Sequence, residues 1–243
     1  MRPEITAIFI DDGGVMNDNE LRGPEWQRLI AEFFVPLLGG NRASWAEANL
    51  AVIERLIPIF ETGPKGQDYC AWDNAYRLNW LRGMAEHVGV TIPAEDAECL
   101  ELSNRATDYI TLRVRAAYPG ATDAIRVLHN MGFTLFTASG EHSRELDGYL
   151  RGMGIRQHFT SLYGSDLVNT VKNSIEYYRR LFEHAGIAPN RALVVDDKPH
   201  LLTWANSLGA ATCLVGTAQE SGAKANFTVA KLGDLPSVLR KTM

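Results

Sequence analysis

The sequence predicts an α/β protein with a doubly wound parallel sheet, interrupted early by an all-helical segment. Three observations predict this. A run of β-forming residues from Ile5 to Ile10 ends in two carboxylates and two glycines, Asp11-Asp12-Gly13-Gly14. Two further apolar runs also end in polar groups: Phe133 to Thr137, followed by Ser139 and Gly140, and Ala192 to Val195, followed by Asp196 and Asp197. From Asn17 to about Ala116 the pattern is helical throughout, whereas the remainder alternates short strands with helices. Strands that each release a polar group at the C-terminal end set those groups along one edge of a parallel sheet, where open α/β folds bind ligands.

Within the helical segment, Trp26, Leu29, Ile30, Phe33 and Leu37 recur at helical spacing after Pro24, which reads as a first-turn residue. A second helix is expected over Ala43 to Phe60, ending at Thr62-Gly63-Pro64. A third covers Asp68 to Val88 and stops at Gly89; a fourth covers about Ala94 to Ala116 and stops at Tyr118-Pro119-Gly120. Beyond it the expected order is helix Ala121 to Met131, strand Phe133 to Thr137, helix Ser143 to Met153, and a short strand Leu162 to Gly164. Then come helix Ser174 to Ala185, strand Ala192 to Val195, helix Leu201 to Leu208 and strand Thr212 to Val215. A last strand near Phe227 to Val229 precedes a short helix at Leu235 to Lys241. The domain expectation is therefore an α/β core from 1–17 and 116–243, with a helical cap over 18–115.

Composition narrows the function classes. A chain of 243 residues with 46% hydrophobic and 22% charged residues suits one globular core plus an insert. A net charge of −5, without a basic stripe, gives no field to gather nucleic acid or an anionic membrane. Cys70, Cys99 and Cys213 are far apart and in no metal-ligand spacing, which reads as reduced thiols in a cytoplasmic protein. No signal-like segment and no apolar run of about 20 residues points to a membrane. The expected partner is a small-molecule substrate.

The strand-end segments, taken with Lys172 ahead of a helical pattern, resemble the motifs of the haloacid dehalogenase superfamily of aspartate-nucleophile hydrolases. That family's first motif reads Asp-x-Asp-Gly-Thr/Val after a strand. Asp11 fits the nucleophile and Gly14-Val15 the end of the motif, while the second aspartate falls on Gly13. Thr137 fits the second motif and Lys172 the third, followed by Ile175-Glu176-Tyr177-Tyr178. Asp196-Asp197 fits the acidic fourth. The resemblance covers roughly 1–17 and 116–243 and implies a Rossmann-like core, with a cap inserted between the first two motifs.

Carboxylates at two strand ends make an oxygen-rich site suited to Mg2+. Asp11 and Asp197 are the expected direct ligands, with Asp196 behind them, and the roles of Asp196 and Asp197 can be exchanged. The resemblance implies that the backbone carbonyl of Gly13 also faces the metal. Asp11 as nucleophile would form an aspartyl-phosphate. Lys172 would neutralise the carboxylates and Thr137 would bond a phosphate oxygen, with Ser139 and Gly140 beside it. In the helical segment, Arg22 near the first hinge and Arg77, between Trp72 and Trp80, are candidate substrate contacts.

Gly13 matters because phosphatases of the family carry their general acid there, a group worth on the order of 10²–10⁴ in rate. Four readings stay open: a slow phosphatase, with His142 or His200 as substitute acids; a dehalogenase; a phosphonate hydrolase using Lys65; or a binding protein without turnover. A receiver domain would place its acidic pair, Thr and Lys in another order. A dinucleotide-binding domain would need a glycine fingerprint that Asp12-Gly-Gly-Val15 lacks.

Overall fold

The computed structural model describes residues 4–64, 68–216 and 225–242, and the chain forms two compact units. The first comprises Met1–Asn19 and Ala116–Met243, the second Glu20–Arg115.

The first unit is a six-stranded, all-parallel sheet of order β3-β2-β1-β4-β5-β6, where β1 is Ala7–Ile10, β2 Thr134–Ala138, β3 Phe159–Tyr163, β4 Ala192–Asp196, β5 Ala211–Val215 and β6 Phe227–Val229. Sequence order runs outward from β1 through β2 to β3, then returns to β4 on the other side. The β1/β4 boundary is thus the topological switch point, the place where such sheets open a crevice at their C-terminal edge.

Parallel strands covered on both faces read as continuous apolar runs, and β1 is buried along its whole length. Ile8, Ile10, Leu135, Leu193, Val195 and Cys213 face helices α5 (Ala121–Asn130), α6 (Ser143–Gly152) and α9 (Leu235–Thr242). Ala7, Phe9, Phe136, Ala138, Val194 and Leu214 face α7 (Ile175–Ala185) and α8 (Pro199–Ser207). On that second face Phe9 stacks on Phe136 at 4.8 Å and meets Phe182 edge-on at 5.4 Å.

The second unit contains α1 (Asn19–Leu38), α2 (Arg42–Thr62), α3 (Tyr69–Val88) and α4 (Asp96–Thr111). Asn41 caps α2 by accepting the Ser44 amide at 2.9 Å, and Asp68 caps α3 by accepting the Ala71 amide at 3.1 Å. Gly89 ends α3 in the left-handed conformation. Two of its tryptophans are packing elements with their ring N–H groups satisfied. Trp45 stacks on Phe34 at 4.6 Å and donates to the Gly39 carbonyl, and Trp80 donates to Asn49 at 3.0 Å.

Three boundaries differ from the sequence expectation. Helix α1 starts at Asn19, so Pro24 lies inside it; so near the N-terminus the ring removes one backbone bond without ending the helix. Helix α4 ends at Thr111, because the amides of Arg113 and Val114 both turn back to the Ile110 carbonyl. The following chain is drawn out to pair with the first loop, where Asp18 donates to Ala116 at 2.8 Å. Strand β3 starts at Phe159, three residues earlier than expected, since an edge strand tolerates the polar Thr160 and Ser161. Among the described residues no helix is long and apolar enough to cross a membrane.

Candidate active site

The loop after β1 separates its two adjacent carboxylates. The Asp12 carbonyl accepts the amides of Val15, Met16 and Asn17, and its fully buried carboxylate takes the Asn17 side-chain amide at 2.8 Å. Asp12 therefore braces the turn. Asp11, next to it in sequence, alternates to the other side and faces the sheet edge, where Lys172 Nζ lies 3.0 Å from its Oδ1. The same ammonium lies 2.6 Å from Asp196 Oδ2, at the end of β4. Asp11 and Asp196 meet because β1 pairs β4 with Ile10 opposite Val195, and the next residue of each strand is the carboxylate.

Asp197 completes the cluster: one oxygen from each of Asp11, Asp196 and Asp197 falls within a 4.8 Å span. The Asp197 carboxylate occupies the space where a side chain on Gly14 would begin, since a Cβ there would sit 2.3 Å from its Oδ2. Gly14 also takes φ 82°, which disfavours any other residue. Gly14→Ala is accordingly expected to destabilise the protein by about 1–3 kcal/mol, read by urea unfolding. An unchanged midpoint would show that Asp197 is not seated against Gly14.

Three carboxylates and one ammonium in a buried site leave a formal charge of −2. Burial pushes the Asp11 carboxyl above its ordinary value of 3.8, with Asp196 adding to the rise and Lys172 opposing it. Burial likewise raises Asp196 and Asp197, the latter aided by Asp11. For Lys172 burial pulls downward, but Asp11 and Asp196 outweigh it and hold the ammonium well above 10.5. Asp197 Oδ1 is buried and has no protein hydrogen-bond partner. An excess of buried negative charge and an orphaned carboxylate oxygen fit a divalent cation held by oxygen ligands. The Gly13 carbonyl lies outside the small bridge of this loop, which uses the Asp12 carbonyl and the Gly14 amide.

The remaining sequence candidates divide. Gly140 lies beside Lys172, with room for a Cβ 3.9 Å from that of the lysine. Thr137 is level with Ile10 in the sheet, one row short of Asp11, and its buried hydroxyl donates to the Tyr163 carbonyl at 3.2 Å. Its expected phosphate contact is therefore not what its placement favours. The neighbouring Ser139 Oγ accepts the Glu141 amide at 3.2 Å, which leaves its proton to donate elsewhere. Arg77 is buried in α3 and paired with Asp73 at 2.6 Å, so its charge is already balanced within its own helix. Arg22 is half-buried in α1. His142 Nδ1 accepts the Arg144 amide at the start of α6. His200 packs edge-on against Trp204 at 5.7 Å. Lys65 lies outside the described residues.

Residues without an individual role in the sequence reading also shape the site. The Tyr177 hydroxyl donates to the Ser139 carbonyl at 3.0 Å, tying α7 to the loop after β2. Tyr178, beside it, is fully buried with a hydroxyl that has no hydrogen-bond partner, and Lys172 and Asp196 both act on it electrostatically. Asp166 accepts the Ser143 amide at 2.8 Å and anchors the start of α6. The signal available for the tyrosines was their position five and six residues after Lys172, one helical turn into α7.

A parallel sheet with a lysine-bridged carboxylate cluster at its switch point matches the core that the sequence resemblance implies. The chain belongs to the haloacid dehalogenase-like hydrolases, whose sequence model matches residues 5–200. A 5'-nucleotidase of Pseudomonas aeruginosa is 30% identical over 102 residues, 41% of this chain; the match spans under half of that relative, 45% of its length. Among solved structures, a 2-haloacid dehalogenase from Pseudomonas syringae pv. tomato shares the fold at TM-score 0.68 and 14% identity, covering 98% of this chain and 100% of the other. A defluorinating L-2-haloacid dehalogenase matches at TM-score 0.66 and 16% identity over 97% and 95% of the two chains. The Bacillus subtilis HAD-hydrolase YfnB, solved bound to magnesium, matches at 0.65 and 18% over 98% and 100%.

Proposed function

We propose that the protein is a magnesium-dependent phosphatase that acts on a small phosphorylated molecule through an aspartyl-phosphate on Asp11. The observation that carries this reading is the three-carboxylate cluster, of which Lys172 balances only one charge. The similarity to a 5'-nucleotidase supports a phosphorylated small molecule as substrate class. Asp11, Asp197 and the Gly13 carbonyl would hold Mg2+, with Asp196 behind them fixing Lys172. The cation would supply positive charge to the phosphoryl oxygens when bound.

In the first step Asp11 attacks phosphorus and the leaving oxygen departs. Lys172, whose charge lies 3.0 Å from Asp11, shields the anionic nucleophile from the anionic phosphate and holds an equatorial oxygen. We assign the hydroxyl contact to Ser139 rather than Thr137, because the Thr137 proton is given to Tyr163. In the second step water attacks the acyl-phosphate and releases Asp11 as carboxylate. The helical unit, expected as a cap over 18–115, would exclude water and select substrate, with Arg22 retained as a contact and Arg77 as structural. The scattered cysteines, free among the described residues, support a cytoplasmic setting.

The test is release of inorganic phosphate from a panel of small phosphorylated compounds, esters and anhydrides alike, with Mg2+ and with a chelator. Activity is expected only with the metal, and equal rates under chelation would refute the metal assignment. Magnesium should also raise the melting temperature at pH 8, and less so at pH 5. Carboxyls raised above 3.8 on folding make the native state bind more protons, so metal-free stability falls as pH climbs through that window. A second reading, halide displacement from a haloacid, is favoured by Gly13, since halide leaves without a proton; a 2-haloacid panel tests it.

A further inference from the structure

An alkyl phosphate needs a proton on its leaving oxygen, because an alkoxide is a poor leaving group. Among the described residues of the α/β unit, the acids beside Asp11 are already engaged, and the unbonded hydroxyl of Tyr178 is fully buried in the core that faces α7 and α8. Gly13, two residues after the nucleophile, has no side chain. Asp12 is fully buried and bound to the Asn17 amide at 2.8 Å. Lys172 Nζ is held between Asp11 and Asp196 at 3.0 and 2.6 Å. The Tyr177 proton goes to the Ser139 carbonyl and the Thr137 proton to the Tyr163 carbonyl. His142 accepts a backbone amide at Nδ1 and lies 3.6 Å from Asp166.

Nor does the turn demand a glycine at that position. Gly14 takes φ 82°, whereas Gly13 is not one of the positive-φ glycines, so its backbone torsion does not itself require glycine.

We propose that this site is built for phosphoryl donors whose leaving oxygen departs as a stable anion, acyl phosphates and phosphoanhydrides, rather than for alkyl phosphates. The inference rests on the phosphatase reading above and narrows its substrate class. In the first step a bond forms between an Asp11 oxygen and phosphorus while the bond from phosphorus to the leaving oxygen breaks. The electron pair leaves on a carboxylate or a phosphate, and no proton is required. In the second step a water oxygen bonds to phosphorus, the bond from phosphorus to Asp11 breaks with its electron pair on the carboxylate, and both protons of the water end on the inorganic phosphate, which can pass one to solvent.

The test compares kcat/KM of the full-length protein with Mg2+ for acetyl phosphate and inorganic pyrophosphate against adenosine 5'-monophosphate and glycerol 3-phosphate. The activated donors are expected to lead by at least about 10²-fold, the scale of an absent general acid. Activity on acetyl phosphate alone, or on pyrophosphate alone, identifies which source of anionic leaving group is used. Gly13→Asp should narrow the gap at least about tenfold by raising the alkyl rates. If that variant does not fold, the wild-type ratio decides. Equal kcat/KM for both classes in the wild type overturns the proposal and leaves the phosphatase reading standing. Absence of phosphate release from all four donors overturns both.

Discussion

Asp11→Asn is expected to abolish turnover while leaving the fold as stable as the wild type or more so. The substitution keeps the shape of the side chain but removes its nucleophilic charge, and loss of a covalent nucleophile typically lowers kcat by about 10⁴–10⁶-fold. Stability moves the other way, because the Asp11 charge is held against its environment. Burial and Asp196 both disfavour it, while Lys172 and a hydrogen bond from the Asp12 backbone favour it. Neutralising it leaves one ammonium beside the remaining two carboxylates, a better balance than the native −2. The measurement is kcat on the best donor, set beside the melting temperature in metal-free buffer. Retained activity refutes the nucleophile, and a large fall in melting temperature refutes the electrostatic account of the site.

Lys172→Met is expected to damage both properties. Its ammonium is the only positive charge within 4.0 Å of the buried Asp11 and Asp196 carboxylates among the described ion pairs. Removing one partner of a buried ionic cluster typically costs about 3–5 kcal/mol, since the remaining charges are left uncompensated. Loss of an electrostatic clamp on the transferring group should lower kcat by a further ~10²–10³-fold. Two features identify the mechanism. The lost stability should return at low pH, where the carboxyls protonate, and in part with Mg2+, which supplies the missing charge. A melting temperature matching the wild type in metal-free buffer at neutral pH would show that Lys172 does not neutralise the cluster.

Much of this site was legible in the sequence for a simple reason. Buried parallel strands are unbroken apolar runs, so a carboxylate after such a run must sit at the sheet edge. That rule placed Asp11 and the pair Asp196 and Asp197, and the parallel register then brings them together. Lys172 was recognised by its position before a helix, although nothing in its immediate neighbours shows that it is buried. Thr137 illustrates where the rule stops. It closes the β2 run as read, but a shift of one residue along a strand reverses the face, and the register puts it level with Ile10 instead of Asp11.

The pairing of Arg77 was hidden for a different reason. A helical spacing of four joins it to Asp73, and their mutual pairing in a buried setting depends on packing that periodicity does not encode. The end of α4 was misread because Val114 and Ala116 carry no helix-breaking residue. The helix gives way to a backbone pairing with Asp18, almost a hundred residues earlier in the chain. The two tyrosines after Lys172 read as ordinary apolar positions of α7. Only the coordinates show one hydroxyl bound to Ser139 and the other buried without a partner.

The claim beneath all of these expectations is that Asp11 attacks phosphorus. Mass spectrometry of protein quenched in acid after mixing with acetyl phosphate and Mg2+ tests it most directly. A single phosphoryl group on the peptide carrying Asp11, lost on treatment with hydroxylamine and absent from Asp11→Asn, is the predicted result. A phosphoryl group on another residue, or turnover without any adduct while a 2-haloacid leaves a carbon ester on Asp11, would contradict it.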